Sequence, residues 1–375
     1  MKEIRRAMTT KVITQKQLYK YFTIHIITTI IMFMIGLLLQ QSGFSAPLGA
    51  LLGCFIGVVI TLVTIKFAKR RPDHFFVHYG ADILSRWLHY PLLFFIIVTN
   101  LFIATINLWE IQDFLLQFYL AGTPAWVIVG LCGLCIAYMA RYGIKSMFRA
   151  AEGMFYLSMI TFIIIPYLVQ SNVEWFMAQG FLTHASFRNA WPTAYYIGSI
   201  FGEASLILYI YPYISQASST RRTTIKFSAL AVLMVILHIV PILLVLGPDL
   251  AQNLNYPELD IIRLIKSGSY LETLDPVIIA LWLISIFIKI SFILFVISHM
   301  ISRVLNMKYS KPLVFPISIF IVVCTLCLAQ SHTQFFNLHN GGIITCIYIS
   351  QLIPLLYYVT DSFRRRRKQN EEESL

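Results

Sequence analysis

The chain has 375 residues, 58% hydrophobic and only 12% charged, with a mean hydropathy of +0.73. A soluble domain carries about 25% charged residues, so this composition excludes an ordinary soluble enzyme, a nucleic-acid module and a disordered chain. Lys and Arg total 29 against 17 Asp and Glu, a formal +12 whose meaning depends on where the charges fall.

Lipid offers the backbone no hydrogen-bond partner, so uncharged stretches of about 20 residues read as membrane helices. Tyr21–Ile65 carries no charge, and Gly43 and Pro47 near its middle divide it into two spans. It is too long for the apolar core of a cleavable signal peptide. Phe75–Pro91 is weakly amphipathic, with Asp82 and Arg86 in the favourable i,i+4 order, and is expected to lie along the cytoplasmic face. Trp87–Trp109, Phe114–Ala140 and Gly153–Val173 are spans three to five. Span six lies in Asn189–Thr220, where Glu203 is the one charge, and span seven is Phe227–Pro248. Asp249–Asp275 is a long external loop, in which Ile261, Ile262, Leu264 and Ile265 suggest a short surface helix. Span eight is Pro276–Ser302, with Lys289 its one charge, and Pro312–Thr360 holds two more around Ser331–Gly342. Ten spans result.

Basic residues mark cytoplasmic loops. Alternate loops, starting from the N-terminus, hold 25 of the 29, the opposite side holds Arg188, Arg263 and Lys266, and Lys289 is inside a span. The reading is an all-α integral membrane protein with ten transmembrane helices and both termini cytoplasmic. Residues 1–16 form a cytoplasmic N-terminal tail, 17–360 the ten-helix domain and 361–375 a cytoplasmic C-terminal tail. The Arg364–Lys368 run is read as an anchor to anionic lipid, and nucleic acid drops out as a partner.

Six Cys lie in or near apolar spans. The Cys132/Cys135 and Cys324/Cys327 pairs are i,i+3 neighbours on helices and read as small packing residues. His25, His238 and His299 read as hydrogen-bonded packing residues. There is no phosphate loop, GxSxG or HExxH motif, so no enzyme, metal or cofactor is expected.

An ionisable group at the bilayer centre costs about 2.5–3.5 kcal/mol and is a functional hypothesis by default. Glu203 and Lys289 qualify, as ligand-coupled charges or as an ion pair that fixes packing. Glu110 and Asp113, one turn apart toward the outer end of span three, are charge-coupling candidates or interfacial residues. The run Gly198-Ser199-Ile200-Phe201-Gly202-Glu203 places two Gly and a Ser beside an acid. Gly weakens a helix, and broken backbone at this depth lines cavities. Span one has a weaker counterpart in Thr28 and Thr29, then Gly36. These two hydroxyls either meet a ligand or bond back to the previous turn. Spans one and six are five apart, consistent with a five-plus-five inverted repeat, repeat one about 17–170 and repeat two about 190–360.

Tyr256-Pro-Glu-Leu-Asp-Ile-Ile-Arg263, Leu271-Glu-Thr-Leu-Asp275 and the Trp282…Lys289-Ile-Ser291 span resemble the external loop and eighth helix of the spore germination permeases. These are the membrane B subunits of GerA-type germinant receptors, in the amino acid–polyamine–organocation superfamily. Phe201-Gly-Glu203 with Tyr211-Pro-Tyr213 resembles the family's sixth helix, and Tyr142-Gly-Ile144 with Arg149 its loop between helices four and five. The resemblance implies a LeuT-like fold, a small germinant, usually an amino acid, and A and C partner subunits in the inner membrane of an endospore. The germinant would bind between helices one, three, six and eight, at Thr28, Thr29, Gly198, Ser199, Phe201, Gly202 and Glu203. Glu203 would orient helix six or meet an ammonium, and Lys289 would place a fixed positive charge where sodium sits in sodium-coupled relatives. The chain departs from the family pattern at Thr28, Ile30 and Ile35, where a Gly-rich turn and a Pro are usual in helix one. It departs again at Ser269, Tyr270 and Thr273. Two alternatives stand beside the receptor subunit: a proton- or cation-coupled symporter, and a scaffold or ion-conducting subunit with a vestigial pocket.

Overall fold

The computed structural model describes residues 11–264, 275–329, 334 and 342–373. Lys266, Ser269, Tyr270, Thr273 and most of Ser331–Gly342 lie outside the described residues. The described chain is helical, with a single isolated bridge between Ile13 and Ile214 in place of any sheet. Seven stretches are long and apolar enough to cross a membrane. One of them, Gln15–Ala68, is 54 residues long and is parted at Gly43–Ser45. Span six does not appear among the seven because it is broken into pieces.

The first helix starts where Thr14 and Gln17 form a capping box: Thr14 Oγ1 accepts from Gln17 N, and Gln17 Oε1 accepts from Thr14 N at 3.0 Å. It runs as α1 (Gln15–Thr29), a five-residue π turn (Ile30–Met34) and α2 (Ile35–Ser42). Next come α3 (Ala46–Ala68), the short α4 (Phe76–Ile83), α5 (Arg86–Phe118), α6 (Ala125–Tyr142) and α7 (Ile144–Val169). The expected cytoplasmic-face segment thus contains α4, with Ser85 between it and α5 outside either helix. The second broken helix is α8 (Phe187–Gly202), followed by a 3-10 turn at Glu203–Leu206, one helical turn at Ile207–Ile210 and another 3-10 turn at Tyr211–Tyr213. Then follow α9 (Thr220–Ala251), α10 (Pro257–Leu264), α11 (Asp275–Val304), α12 (Lys311–Leu328) and α13 (Ile344–Glu373). Within α9, Gly247 at φ +71 turns the chain before Pro248 begins a final turn, a backbone angle that only Gly adopts cheaply.

In lipid, helices associate through close packing rather than apolar burial. Gly49, Gly53 and Gly57 form a stripe at i,i+4 spacing on α3, pressed against α8. A Cβ on Gly49 would sit 2.6 Å from Ala190 O, and one on Gly53 would sit 2.8 Å from both Ala194 O and Gly198 N. The backbones touch, and any larger side chain would part them. Phe55, Phe94, Leu131, Ile160 and Phe320 are exposed on the outside, as a lipid-facing surface requires.

The start of α1 and the end of the second broken helix are strapped together. Val12 N donates to Tyr213 O at 2.9 Å, Ser215 N donates to Ile13 O at 2.9 Å, and Gln15 Nε2 donates to Ser215 O at 2.9 Å. The last helix runs on past Thr360 to Glu373. Asp361, the first charge after the apolar stretch, is buried and held by Arg70 and by Arg365 Nε at 3.1 Å.

Candidate functional site

Both helix breaks border one cavity, at Met34 and at Glu203, and three ionisable side chains meet beside it. Glu203 stands at the first residue after α8, where the helix tightens to 3-10 geometry. Lys289 reaches it from the middle of α11, with Nζ donating to Glu203 Oε2 at 2.9 Å and to Thr29 Oγ1 at 2.6 Å. His25 reaches it from α1, with Nε2 to Glu203 Oε2 at 2.8 Å, while its Nδ1 meets Tyr21 OH at 3.0 Å. A neutral imidazole satisfies this geometry: Nε2–H donates to the carboxylate and Nδ1 accepts from the tyrosine. Lys289 and Glu203 then balance, and all three side chains are buried. A buried charge is tolerated only when paired, which accounts for the lysine in an apolar helix.

The network extends to α5. Thr29 Oγ1 donates to Asn107 Oδ1 at 3.3 Å, and Asn107 Nδ2 donates to Ile103 O at 2.7 Å. Two small cavities flank Glu203. One, of about 30 Å³, is lined by Thr29, Asn107, Glu110, Ser199 and Glu203 together with Met34, Ile103, Ile106, Ile200, Ile344 and Ile347. The other, of about 10 Å³, includes Asn100, Ser205, Tyr209 and Gln351. Each has room for only a water or two, so the site is closed around its polar groups.

It is also covered at the end opposite the strap. The segment before α10 presses on α2, where a Cβ on Gly36 would lie 2.6 Å from Leu254 O. Tyr256 packs on Phe33, Phe114 and Phe118, and its hydroxyl donates to Asp113 Oδ2 at 2.7 Å. Glu258 on α10 is buried against His238 Nδ1, whose Nε2 lies 2.7 Å from Phe162 O. That carbonyl can only accept, so Nε2 carries a proton, and a second proton lies between His238 and Glu258. Burial raises the carboxyl pKa of Asp260, on the same short helix, against the opposing pull of Arg263.

Of the seven expected ligand residues, Thr29, Ser199 and Glu203 line the larger cavity. Thr28 instead bonds back to Ile24 O at 2.8 Å. Gly198 lies against Gly53 O and Tyr348 OH, Gly202 against Gln351, and Phe201 is buried beside Gly57. These three serve the α3 and α13 contacts rather than the cavity. Of the four expected charge-coupling residues, Glu203 and Lys289 pair, Glu110 lines the cavity, and Asp113 lies one turn away beneath Tyr256. Sequence reasoning missed Asn107, which carried no signal beyond being an amide in an apolar span. His25, read as a hydrogen-bonded packing residue, is bonded through both ring nitrogens, and Glu203 is one of its partners.

The chain matches the family model described as spore germination protein over residues 12–333. It is 24% identical over 346 residues to spore germination protein KB of Bacillus subtilis (strain 168), covering 89% of this chain and 91% of that protein. It is also 24% identical over 356 residues to spore germination protein XB of Bacillus anthracis, covering 88% and 93%. Among solved structures it resembles MhsT in complex with L-phenylalanine, with a TM-score of 0.72, 13% identity and coverage of 91% of this chain and 88% of that one. Mhp1, a nucleobase-cation-symport-1 family transporter, gives a TM-score of 0.61 at 12% identity, covering 93% and 78%. At such identities the likeness shows the fold alone, the LeuT/Mhp1-like architecture expected above.

Proposed function

The chain belongs to the spore germination protein family, and on that premise we propose that it is the membrane subunit of a nutrient-germinant receptor in the inner membrane of an endospore. It crosses that membrane ten times as a five-plus-five inverted repeat, with both termini cytoplasmic. A small germinant, most naturally an amino acid, binds between α1, α5, α8 and α11, and A and C partner subunits read the change. The observation that carries this reading is the meeting of two broken helices at a closed, polar cavity beside a buried Glu203–Lys289 pair. Thr29, Ser199, Glu203, Asn107 and Glu110 are the residues offered to the germinant. The cavity's present size means that binding must part the helices, and a ligand that favours the parted state shifts a two-state equilibrium by its differential affinity.

The test is germination of spores that carry Ser199→Phe, which fills the cavity. Unchanged responses to every nutrient would sink the proposal, provided the variant subunit accumulates normally. A second reading, a proton- or cation-coupled symporter, is favoured by the transporter neighbours. Uptake of labelled amino acid by proteoliposomes of this chain alone would establish it.

A further inference from the structure

The larger cavity has an unbalanced set of polar groups. Most of its polar groups are engaged: Thr29 donates to Asn107, one amide hydrogen of Asn107 goes to Ile103 O, and Ser199 Oγ donates to Tyr196 O at 2.7 Å. Lys289 donates to Glu203 and Thr29. One carboxyl oxygen is not engaged. Glu110 is 97% buried by virtue of its 3% exposure, lines the cavity, and has no hydrogen-bond partner for its Oε2. Its neighbour Asp113, by contrast, is held by Tyr256 and Gln117. No arginine is among the described residues that line the cavity. A buried carboxyl oxygen without a partner is costly, and it is met by a ligand group that donates.

We propose that Glu110 is the specificity-determining residue of this cavity and receives the ammonium head of a small aliphatic amine. The inference rests on the ligand-binding reading above and goes beyond it: the amine is the recognised group, and the ligand's carboxylate is dispensable. Ile103, Ile106, Ile200 and Ile344 supply an alkyl-sized wall behind the head group. A charge-assisted hydrogen bond is worth about 1.5–3 kcal/mol, so losing it weakens binding on the order of 10- to 100-fold.

The experiment follows the melting of the full chain in lipid nanodiscs. The probes are the twenty L-amino acids, their N-acetyl forms, short alkylamines, the matching alkyl carboxylates and hexoses. Wild type is stabilised by amino acids and by alkylamines of the same chain, and not by N-acetyl forms or carboxylates. Glu110→Gln loses those responses by the stated factor, Glu110→Asp keeps them in reduced form, and Glu110→Gln without ligand melts at or above wild type. Stabilisation by a non-amine, or amine binding that survives Glu110→Gln but not Ser199→Phe, overturns the role of Glu110 and leaves the cavity reading standing. No response of wild type to any compound overturns both.

Discussion

Lys289→Met removes the cation from the centre of the site. Lys289 is 1% exposed and its Nζ lies 2.9 Å from Glu203 Oε2. At an effective dielectric of about 20, that separation corresponds to a gross attraction of about 6 kcal/mol. Desolvation of both groups offsets most of it, so the intact pair adds little net stability. Removing one member leaves an uncompensated carboxylate, and the usual cost is about 3–5 kcal/mol. At about 2.1 cal/mol/K of unfolding entropy per residue over 375 residues, the melting point falls on the order of 1.3 °C per kcal/mol. Lys289→Met therefore melts roughly 4–6 °C below wild type. Glu203→Gln strands the ammonium instead and falls by a similar amount. The double variant Glu203→Gln/Lys289→Met, with no charge left to strand, melts above the sum of the two losses by about 2 kcal/mol or more of coupling. The assay is a double-mutant cycle of melting temperatures for the purified protein at one detergent and salt concentration. If the double variant loses as much as both singles added together, Lys289 and Glu203 are independent and the reasoning is wrong.

Gly53→Leu forces apart α3 and α8, whose backbones approach within 2.8 Å of the position of the new Cβ; a collapse of the monodisperse fraction on size exclusion is expected, while Gly130→Leu, where a Cβ meets open space, is tolerated. Because Lys289 already supplies a fixed cation to Glu203 and Thr29, replacing sodium by choline leaves melting and ligand response unchanged; a sodium-dependent shift larger than the choline control counts against this. Tyr256→Phe deletes the bond to Asp113 and costs about 0.5–1.5 kcal/mol, read as faster hydrogen exchange in α10. The raised Asp260 carboxyl means that the folded state binds its proton more tightly, so stability is lost as pH rises from the ordinary Asp value through the elevated one; Asp260→Asn flattens that slope, and an identical pH profile for both proteins refutes the assignment.

The seven apolar stretches were legible because charge is excluded from lipid-crossing segments and the gaps show it. The break after Gly202 was legible for a related reason: glycine weakens a helix, and a buried acid needs a nearby partner. Gly198 and Gly202, expected as ligand contacts, pack against Tyr348 and Gln351. Spacing along one helix says that a surface is small, but not which neighbour needs it small; the matching stripe on α3 decides that. The break in helix one was only faintly legible, in Thr28, Thr29 and Gly36 on either side of it, since neither Gly nor Pro stands between Ile30 and Met34. A π turn is one extra residue accommodated by tertiary packing, and Ile-Ile-Met-Phe-Met carries no local mark of it. Asn107 was hidden by the same logic, as a single amide that bonds back within its own helix and meets Thr29 from another.

The strap from Val12 to Ser215 binds the first helix to the end of the sixth at one end of the bundle. At the other end the same two helices are tied again, Thr193 Oγ1 donating to Ser42 Oγ at 2.8 Å and approaching Leu38 O at 3.2 Å. Beside that second tie lie Leu254, Tyr256 and α10, held by the Leu254 carbonyl packed on Gly36, the Tyr256 hydroxyl on Asp113 and the contact of Glu258 with His238. On the reading proposed above, a ligand that parts these two helices has to break the Thr193 bonds, which makes them a latch on the far side of the site from the strap.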